Sequence, residues 1–582
     1  MAKIYSVISK IKPTILVILT FFIFLPMVNI NHHRWKGDEG MIDWDVKSYY
    51  AYLPAAFIYH DLSLDFIDKN PQKFGKWIWP IPTPNGKRGI ITSMGLSVMY
   101  APFFFMAHIA ATLSPVYEAD GYSLPYHFAL GFSTFFYFII ALFFLRKILL
   151  KYFSERIAAL TMFTIGAGTN LFFYVTYAAP MPHGYNFALF ILFIYYLIKW
   201  HKSINLTHTI VLGLIAGLIT LIRPTNIIIV ILIPLFGVNS MQSFKDLNNR
   251  LLKHWAYVAL MMLAFVIVWI PQFAYWYYLS GKIFYFSYGE AGGKFFFNNP
   301  QFFNVLLSYR KGWYVYTPLM LLATLGIYNL FKQKNHFALG TSIFLVLNVY
   351  IISSWWCWWY GGGFGMRPMI DSYGLMAIPL AALLHDAGRI KWLKAGITVV
   401  VFLLILFNLF QIKQYRNQSI HYWWMNKEAY WTNFLKIKPT CKYWQVITIP
   451  NYLKAHDGIY EAIPAYERRR VVTDEMLVQK VMNVNTENIP LLDSLRTAIA
   501  DESVSSDTLL LNYAEEIVQS KQAGDYFQML KIEFYLNEIK HCASWKKEVE
   551  KKAKKRKITF EAMAQIEAER VYQSYCEKYD QQ

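Results

Sequence analysis

Charged residues are scarce in this sequence. Asp, Glu, Lys and Arg make up 16% of its 582 residues, and hydrophobic residues make up 56%. A soluble protein usually carries about 25% charged residues, so the composition excludes an ordinary soluble enzyme. Apolar runs of roughly 20 residues recur from Pro13 to Phe410. Strands of an outer-membrane barrel alternate over about 10 residues, so these runs predict an all-α polytopic membrane protein.

Cysteine is also rare, and its spacing disfavours a metal site built on thiolates. The four cysteines lie far apart without a CxxC pair. The last three could form a disulfide if they lie outside the cytoplasm, with a pairing that the spacing leaves open. A small-residue cleavage site is missing after the first apolar stretch, "PTILVILTFFIFLPMVNI", so we interpret this stretch as a retained membrane anchor. The cysteines are Cys357, Cys441, Cys542 and Cys576.

The net charge of +19 reflects Lys and Arg in short loops between the apolar runs. Such loops lie in the cytoplasm by the positive-inside rule, so we interpret the charge as a topology signal and expect no nucleic-acid partner. Lys3, Lys10 and Lys12 precede the first apolar run and predict a cytoplasmic N-terminus. The other basic loops expected on this side are 146–156, 199–202, 245–253, 332–336 and 385–394.

The order of these loops constrains the segment 91–113. If this segment crossed the bilayer, the basic loop 146–156 would lie outside. We therefore expect 32–125 to be one large external region that contains an interfacial helix.

The run 209–237 has basic loops on both sides and must cross twice. We expect a break near Arg223-Pro224, because proline disfavours helix in the residue before it. The count then reaches about 11 transmembrane helices within residues 1–412. Residues 413–582 lose the long apolar runs and are expected to form a soluble, mainly helical domain outside the cytoplasm.

An acidic stretch follows the first apolar run: "GDEGMIDWDVKSYYAYLPAAF", residues 37–57. A carboxylate partly desolvated beneath aromatic rings could act as a general base for an attacking hydroxyl. Tyr49 and Tyr50 lie four and five residues after Asp45, so we expect them on its helix face and in contact with substrate. A hydrated loop with incidental acids is the alternative. The candidate bases are Asp45, Asp43 and Asp38.

Four basic residues at predicted outer helix ends are candidates for binding a phosphate. They are Arg223, Arg310, Lys311 and Arg367. A departing phosphate needs positive charge beside it, and a guanidinium matches two phosphate oxygens at once. Arg367 follows "GGGFG", a flexible sequence that lets the backbone approach a ligand closely. The alternative for each residue is an ordinary basic side chain that extends to the membrane interface.

Two further residues are candidate substrate contacts. His183, in "MPHGYN", is expected to make a hydrogen bond rather than to ligate a metal. Trp358 lies in the run "WWCWW" at a predicted membrane edge. It could belong to an interfacial aromatic belt, or offer a ring on which a sugar stacks.

Five stretches in the first two-thirds of the chain resemble the GT-C class of polyprenyl-phosphate-dependent glycosyltransferases. They are "DWDVKSYYAYLPA", "GTNLFFYVTYAAPMPHGYNF", "GLIAGLITLIRPTN", "YRKGWYVYTPLMLLATLG" and "GGGFGMRPMID". The class includes protein O-mannosyltransferases, the aminoarabinose transferase of lipid A and the catalytic subunit of oligosaccharyltransferase. More specifically, the chain is similar to mannosyltransferase-like membrane proteins of Bacteroidota. The class also has a large first external loop with an interfacial helix.

The resemblance implies a multi-pass enzyme of the bacterial inner membrane with its site on the periplasmic face. It would transfer a sugar from a polyprenyl-phosphate donor to a glycan, lipid or protein acceptor. Asp45 matches the catalytic acid position, but many members have adjacent Asp-Glu where this chain has Asp43-Trp44-Asp45. The choice between Asp45 and Asp43 therefore stays open, with Asp38 third. The loop around His183 lacks the metal-binding acids of oligosaccharyltransferase, so we expect no obligatory cofactor and leave a divalent cation open.

Three other functions fit parts of the pattern. A transporter or flippase for a lipid-linked glycan would carry ionisable groups at mid-helix depth and would tolerate Asp45→Asn. A non-catalytic assembly subunit would depend on its tail and not on its acids. An O-antigen ligase or polymerase would carry its main basic residues in one large late external loop. We favour a transferase because the unusual polar residues gather on one predicted face.

Overall fold

The computed structural model describes residues 11–32, 35, 40–464, 474–499, 504–520 and 522–579. These residues are mostly helical and fold as two compact units. The first unit runs to Tyr415 and also takes in 452–459, whereas the second holds 416–451 and the chain from Tyr460 onward.

The first unit is built from α-helices around a buried pair. Pro182–Lys202 and Tyr373–Ala387 are buried along most of their length and form its centre. Pro182 suits a helix start because its missing N–H needs no partner there. Besides these two, the α-helices are Pro13–His32, Asp45–Tyr50, Tyr52–Phe57, Phe66–Lys69, Pro71–Phe74, Gly95–Thr112, Leu124–Leu149, Glu155–Ala167, Leu171–Thr176, Leu206–Ile222, Leu232–Leu235, Met241–Lys253, Trp255–Ser280, Gly289–Gly292, Phe302–Leu307, Trp313–Tyr316, Leu319–Lys332, Ala338–Ser354, Lys391–Arg416 and Tyr452–Ala455.

Among the residues that the structure describes, five helices are long and apolar enough to cross a membrane, so by length and composition the chain is a membrane protein. They are Pro13–Asn31, Gly95–Thr112, Leu124–Leu149, Trp255–Ser280 and Lys391–Arg416. Shorter apolar helices accompany them at Leu206–Ile222, Pro224–Leu235, Leu319–Lys332 and Ala338–Ser354. The total of about 11 crossings stays a prediction.

Gly95–Thr112 is the segment for which the sequence predicts an interfacial helix. It has 18 residues and the lowest hydropathy of the five helices, 1.3. At about 1.5 Å per residue its length is about 27 Å, which is close to the thickness of a bilayer core. Length and composition therefore permit a crossing, and the interfacial position stays a prediction.

The break predicted near Arg223-Pro224 is confirmed. Leu206–Ile222 ends one residue before Arg223, whose backbone is extended (φ −144°, ψ 105°). The following segment differs from the expected α-helix, because Pro224–Ile231 is a 3-10 helix. A second 3-10 helix, Arg367–Ser372, leads into Tyr373–Ala387.

The region after the first helix is held together by buried tyrosines. The Tyr50 hydroxyl donates to the Gly121 carbonyl, and the Tyr52 hydroxyl donates to the Thr92 carbonyl, each at 2.6 Å. A short antiparallel hairpin pairs Ile81–Pro82 with Arg88–Gly89. These contacts fix the short helix Asp45–Tyr50 against its surroundings.

The second unit is mainly helical, as the sequence predicts for the tail. Tyr535, Ile539, Val549 and Met563 lie in its hydrophobic core. Cys542 is disulfide-bonded, in agreement with a bridge among the tail cysteines, whereas Cys357 of the first unit is free and buried. The α-helices are Lys427–Thr432, Cys441–Val446, Asp474–Asn485, Ile489–Ile499, Ser506–Gln519, Gly524–His541, Ala543–Arg556 and Phe560–Tyr579, and Thr448–Pro450 pairs antiparallel with Ala462–Pro464.

Candidate functional site

An ion pair joins two residues that are far apart in sequence. Arg367 Nη2 donates to Asp45 Oδ2 at 3.1 Å. Asp45 begins the helix Asp45–Tyr50, and Arg367 begins the 3-10 helix Arg367–Ser372. The Asp45 side chain is 47% exposed, whereas that of Arg367 is 17% exposed. The carboxylate is therefore both held by a cation and open to a ligand.

Asp43 lies in a different local environment from Asp45. Its Oδ1 accepts the Trp44 backbone N–H at 2.8 Å and lies 3.4 Å from Lys47 Nζ. Lys47 in turn lies over the Trp79 ring at 4.4 Å. Asp43 thus contacts a neighbouring lysine and not Arg367. Asp38 lies outside the described residues.

A glycine-rich loop brings a lysine to the Asp45–Arg367 pair. Lys311 is 2% exposed, and its Nζ donates to the Gly363 carbonyl. Gly363 has a φ of +147°, and a Cβ there would lie 2.6 Å from the Tyr174 hydroxyl and 3.5 Å from Arg367 Cδ. Only glycine fits this conformation and this space. The loop therefore packs directly against Arg367.

Arg310 and Lys311 lie in a turn between helices, where burial opposes the positive charge of both side chains. Burial lowers the pKa of Lys311 well below its usual value, and Arg367 and Arg310 lower it further. Burial also lowers the pKa of Arg310, to about 10. Burial would lower the pKa of Arg367 too, but Asp45 above all raises it, so this guanidinium stays charged. Binding of an anion here would offset the repulsion that Arg367 and Arg310 exert on Lys311.

A second group of polar side chains is buried around Asp371, which is 2% exposed. Asp371 Oδ2 accepts from Asn226 at 2.8 Å, from Asn186 at 3.1 Å and from Arg223 at 3.2 Å. His183 Nδ1 lies 3.1 Å from the other carboxylate oxygen, so His183 is a hydrogen-bonding histidine as predicted. We call these five residues the Asp371 cluster. The cluster fixes Arg223 at the end of its broken helix.

Two tyrosines connect the Asp371 cluster with the Asp45–Arg367 pair. Burial raises the pKa of Tyr288 to about 12; Asp45 adds to this rise, while Arg223 and Arg367 oppose it. The same three side chains act on the pKa of Tyr49, which is also raised, chiefly by burial. Both phenols are therefore neutral hydrogen-bond donors beside these three charges.

The structure brings together most of the predicted site residues. Asp45, Tyr49, Arg223, Arg310, Lys311 and Arg367 share these electrostatic contacts, and His183 joins them through Asp371. Sequence reasoning did not single out Asp371, Asn186 and Asn226. Each of these missed residues lies three or four positions, about one helical turn, after a residue that was predicted. The pairs are Arg367 and Asp371, His183 and Asn186, and Arg223 and Asn226.

Tyr50 does not join the site, in contrast to its predicted substrate contact. Its side chain is fully buried, and its ring packs against Tyr100, Phe104 and Tyr122. A residue five positions along a helix is rotated by about 140° relative to the first, and packing takes this ring away from Asp45. Tyr50 therefore supports the external region.

Trp358 is buried as well, at 5% exposure, so it does not belong to an interfacial aromatic belt. Its neighbours Trp356 and Trp359 are covered by the returning segment 452–459: the Trp356 ring lies 4.0 Å from that of His456. Trp358 Nε1 has no hydrogen-bond partner among the described residues. Its predicted stacking against a sugar has no exposed ring face to use in this arrangement.

Within the described residues, His, Cys, Asp and Glu form no group of three or more that could hold a metal ion. No protein-family model matches the chain, and no curated protein matches it. The interpretation of the site therefore depends on its geometry and on the sequence resemblance.

Proposed function

We propose that the protein is an integral-membrane glycosyltransferase that moves a sugar from a polyprenyl phosphate to an acceptor hydroxyl. The observation that carries the proposal is the half-exposed Asp45 carboxylate, which lies 3.1 Å from Arg367, a guanidinium whose charge also acts on Lys311. A general base next to several cations suits attack by a hydroxyl with departure of a phosphate. The resemblance to the GT-C class supports the same chemistry.

The proposed step is a single displacement at the anomeric carbon. The acceptor oxygen forms a bond to this carbon while the bond to the phosphate oxygen breaks, and the electron pair leaves with the phosphate. The hydroxyl proton goes to Asp45. Arg367, Lys311 and Arg310 stabilise the phosphate, which stays attached to its isoprenoid, and the product has inverted configuration.

Arg223 has a separate part in this proposal. Its guanidinium is 16% exposed and is held by Asp371, which is almost fully buried. A charge fixed in this way is preorganised and needs no rearrangement when the phosphate charge develops. Asp371 is a positioning residue that acts through Arg223.

The proposed site faces the periplasm of a bacterial inner membrane. Two observations support this orientation. The basic loops lie at the opposite ends of the helices that carry His183 and Arg223. In addition, Cys542 is disulfide-bonded, and disulfides persist in oxidising compartments such as the periplasm.

Transfer of radiolabelled sugar from a polyprenyl-phosphate donor by the purified protein tests the proposal. We expect Asp45→Asn to lower turnover by about 10²- to 10⁴-fold, because it removes a general base. Donor binding should persist in this variant. Asp43→Asn is the matched control, because Asp43 contacts Lys47 instead of Arg367.

Full turnover by Asp45→Asn would refute the assignment of the base. Loss of turnover only in Asp43→Asn would transfer the role to Asp43. Movement of intact lipid-linked glycan across proteoliposome membranes, without transfer in either variant or wild type, would instead favour a flippase.

A further inference from the structure

A cavity lies at the other end of the central helix Pro182–Lys202, at the end that carries the basic loops. The helix has 21 residues, so its two ends are about 30 Å apart at about 1.5 Å per residue. The cavity has a volume of about 470 Å³ and is lined in part by His201 and Lys202. This volume is in the range of small-molecule sites. The transfer chemistry proposed above uses none of its lining residues.

The polar wall of the cavity is basic. Arg250 Nη2 donates to the His201 carbonyl at 2.6 Å, which fixes the guanidinium in the wall. Lys202 is exposed at the rim. One carboxylate, Asp246, also lines the cavity, and it accepts a hydrogen bond from Gln242 at 2.8 Å. Across the residues that the structure describes, neither Lys202 nor Arg250 has a carboxylate within 4 Å.

Further lysines beside the cavity increase its positive charge. Burial lowers the pKa of Lys151, and Lys199 and Lys202 lower it further. The neighbour of Lys151, Tyr152, lines the cavity. An anion in the cavity would offset the repulsion that Lys199 and Lys202 exert on Lys151.

The helix Met241–Lys253 forms one side of the cavity and has two different faces. At 100° per residue, Ser243, Leu247 and Arg250 share one face, and all three line the cavity. The exposed apolar side chains Met241, Phe244 and Leu252 lie on the outward side of the helix, where Lys245 and Asn248 lie among them. Exposed apolar side chains interspersed with basic residues suit a helix at a membrane interface. In that position the cavity would open at the depth of the lipid headgroups.

The inner wall suits the glycerol and first methylenes of a lipid. Phe236 is stacked between His201 at 4.7 Å and His336 at 5.5 Å, and Ile198 and Leu247 complete the apolar part. The cavity thus has a basic rim and an apolar inner wall. The rim would match the phosphate of a phospholipid, and the inner wall would match the carbon atoms next to the phosphate.

We propose that this cavity binds the phosphate of an anionic phospholipid from the leaflet next to the basic loops. Arg250 and Lys202 contact the phosphate oxygens, whereas the Ser243 hydroxyl is held by the Ser240 carbonyl as part of the helix cap. Asp246 on the same wall disfavours ligands of high negative charge. The bound lipid ties Met241–Lys253 to the end of Pro182–Lys202.

Native mass spectrometry of the full-length protein with phosphatidylglycerol tests the proposal. We expect the double variant Lys202→Gln with Arg250→Gln to retain at least fivefold less phosphatidylglycerol than the wild type. Lys245→Gln with Lys253→Gln is the matched control, since it removes two charges from the same helix outside the cavity. The control should retain the lipid. Lys202→Gln alone changes an exposed side chain, so this variant should fold. We expect it to retain less phosphatidylglycerol than the wild type, and this result tests the proposal even if the double variant misfolds.

Equal loss in the control variant would overturn the proposal in favour of diffuse surface charge, and unchanged retention in both Lys202 variants would overturn it outright. Thermal stability distinguishes the source of the phosphate. Phosphatidylglycerol should raise the melting temperature, and phosphatidylcholine and glycerol phosphate should not. An equal rise with glycerol phosphate would show a site for soluble phosphates and contradict the lipid assignment.

Discussion

Asp45 Oδ2 accepts a hydrogen bond from Arg367. In the proposed reaction a donor phosphate takes over the guanidinium N–H groups, because Arg binds phosphate through two parallel hydrogen bonds. The carboxylate oxygen then becomes free to accept the proton of the acceptor hydroxyl. In this proposal the ion pair couples donor binding to exposure of the base. Asp43 has no such coupling, because its cationic partner is the neighbouring Lys47.

Asp371 is the residue whose loss should damage the protein most. Asp371→Asn leaves the partly exposed Arg223 without its counter-charge, and removing one partner of such a hydrogen-bonded pair costs about 1–3 kcal/mol in the free energy of unfolding. Unfolding by denaturant in detergent measures this change. Asp457→Asn is the control, because Asp457 is 72% exposed and its Lys294 partner is 4.0 Å away. Its effect should be too small to measure. An Asp371→Asn protein as stable as the control would show that the cluster is not electrostatically coupled.

The individual site residues could be predicted from the sequence only as types. Arg and Asp beside apolar runs are conspicuous, so Asp45, Arg223 and Arg367 were candidates. Their partners were not predictable, because Asp45 and Arg367 are 322 residues apart and no local pattern links them. Asn186 and Asn226 look like ordinary turn residues until Asp371 is placed between them.

At the scale of elements, proline predicted a break but not the geometry of the next segment. The missing N–H of Pro224 and its clash with the preceding turn end the helix Leu206–Ile222. The 3-10 geometry of Pro224–Ile231 depends on packing of its buried residues Asn226 and Ile229. Packing also determines the burial of the tryptophans in "WWCWW". The segment 452–459 covers them, and this segment is too distant in sequence for a local pattern to predict the contact.

The glycine-rich loop gives the sharpest test at this scale. Gly363→Ala should disturb the loop, because its φ of +147° costs about 1–3 kcal/mol for a residue with a Cβ. The new Cβ would also collide with the Tyr174 hydroxyl. The Gly363 carbonyl would then shift away from Lys311, and we expect sugar transfer to fall at least tenfold.

Gly396→Ala is the matched control for this change. Gly396 lies inside the helix Lys391–Arg416, and a Cβ there would meet nothing within 4 Å. Alanine is favoured over glycine in a helix by about 0.5–1 kcal/mol, so activity should stay and stability should rise slightly. If Gly363→Ala behaves like this control in both thermal stability and transfer, the loop has no part in holding Lys311.

At the scale of the whole molecule, hydropathy predicted the class of protein more securely than the number of crossings. In the described part of the chain, five helices satisfy both length and composition, whereas the other apolar helices are shorter. Arg223 and Pro224 interrupt an apolar run at the candidate site. Site residues of this kind shorten the apolar runs and lower their hydropathy, so crossings near the site are harder to count from the sequence.

The sidedness of Gly95–Thr112 is the point on which the whole arrangement depends. Both flanks of this helix contact the segment 52–59: Tyr52 donates to the Thr92 carbonyl before the helix, and Tyr59 donates to the Asp120 carbonyl after it. Flanks joined through one compact region favour an interfacial helix over a crossing.

Lys69→Cys and Val116→Cys place thiols in exposed positions before and after this helix. In a background without native cysteines, an impermeant maleimide added to intact spheroplasts should label both variants, and Lys245→Cys should react only after permeabilisation. Labelling of Lys69→Cys but not Val116→Cys would show that the helix crosses. Protection of Lys69→Cys would place Asp45 on the cytoplasmic side, and a periplasmic transferase site built on it would be ruled out.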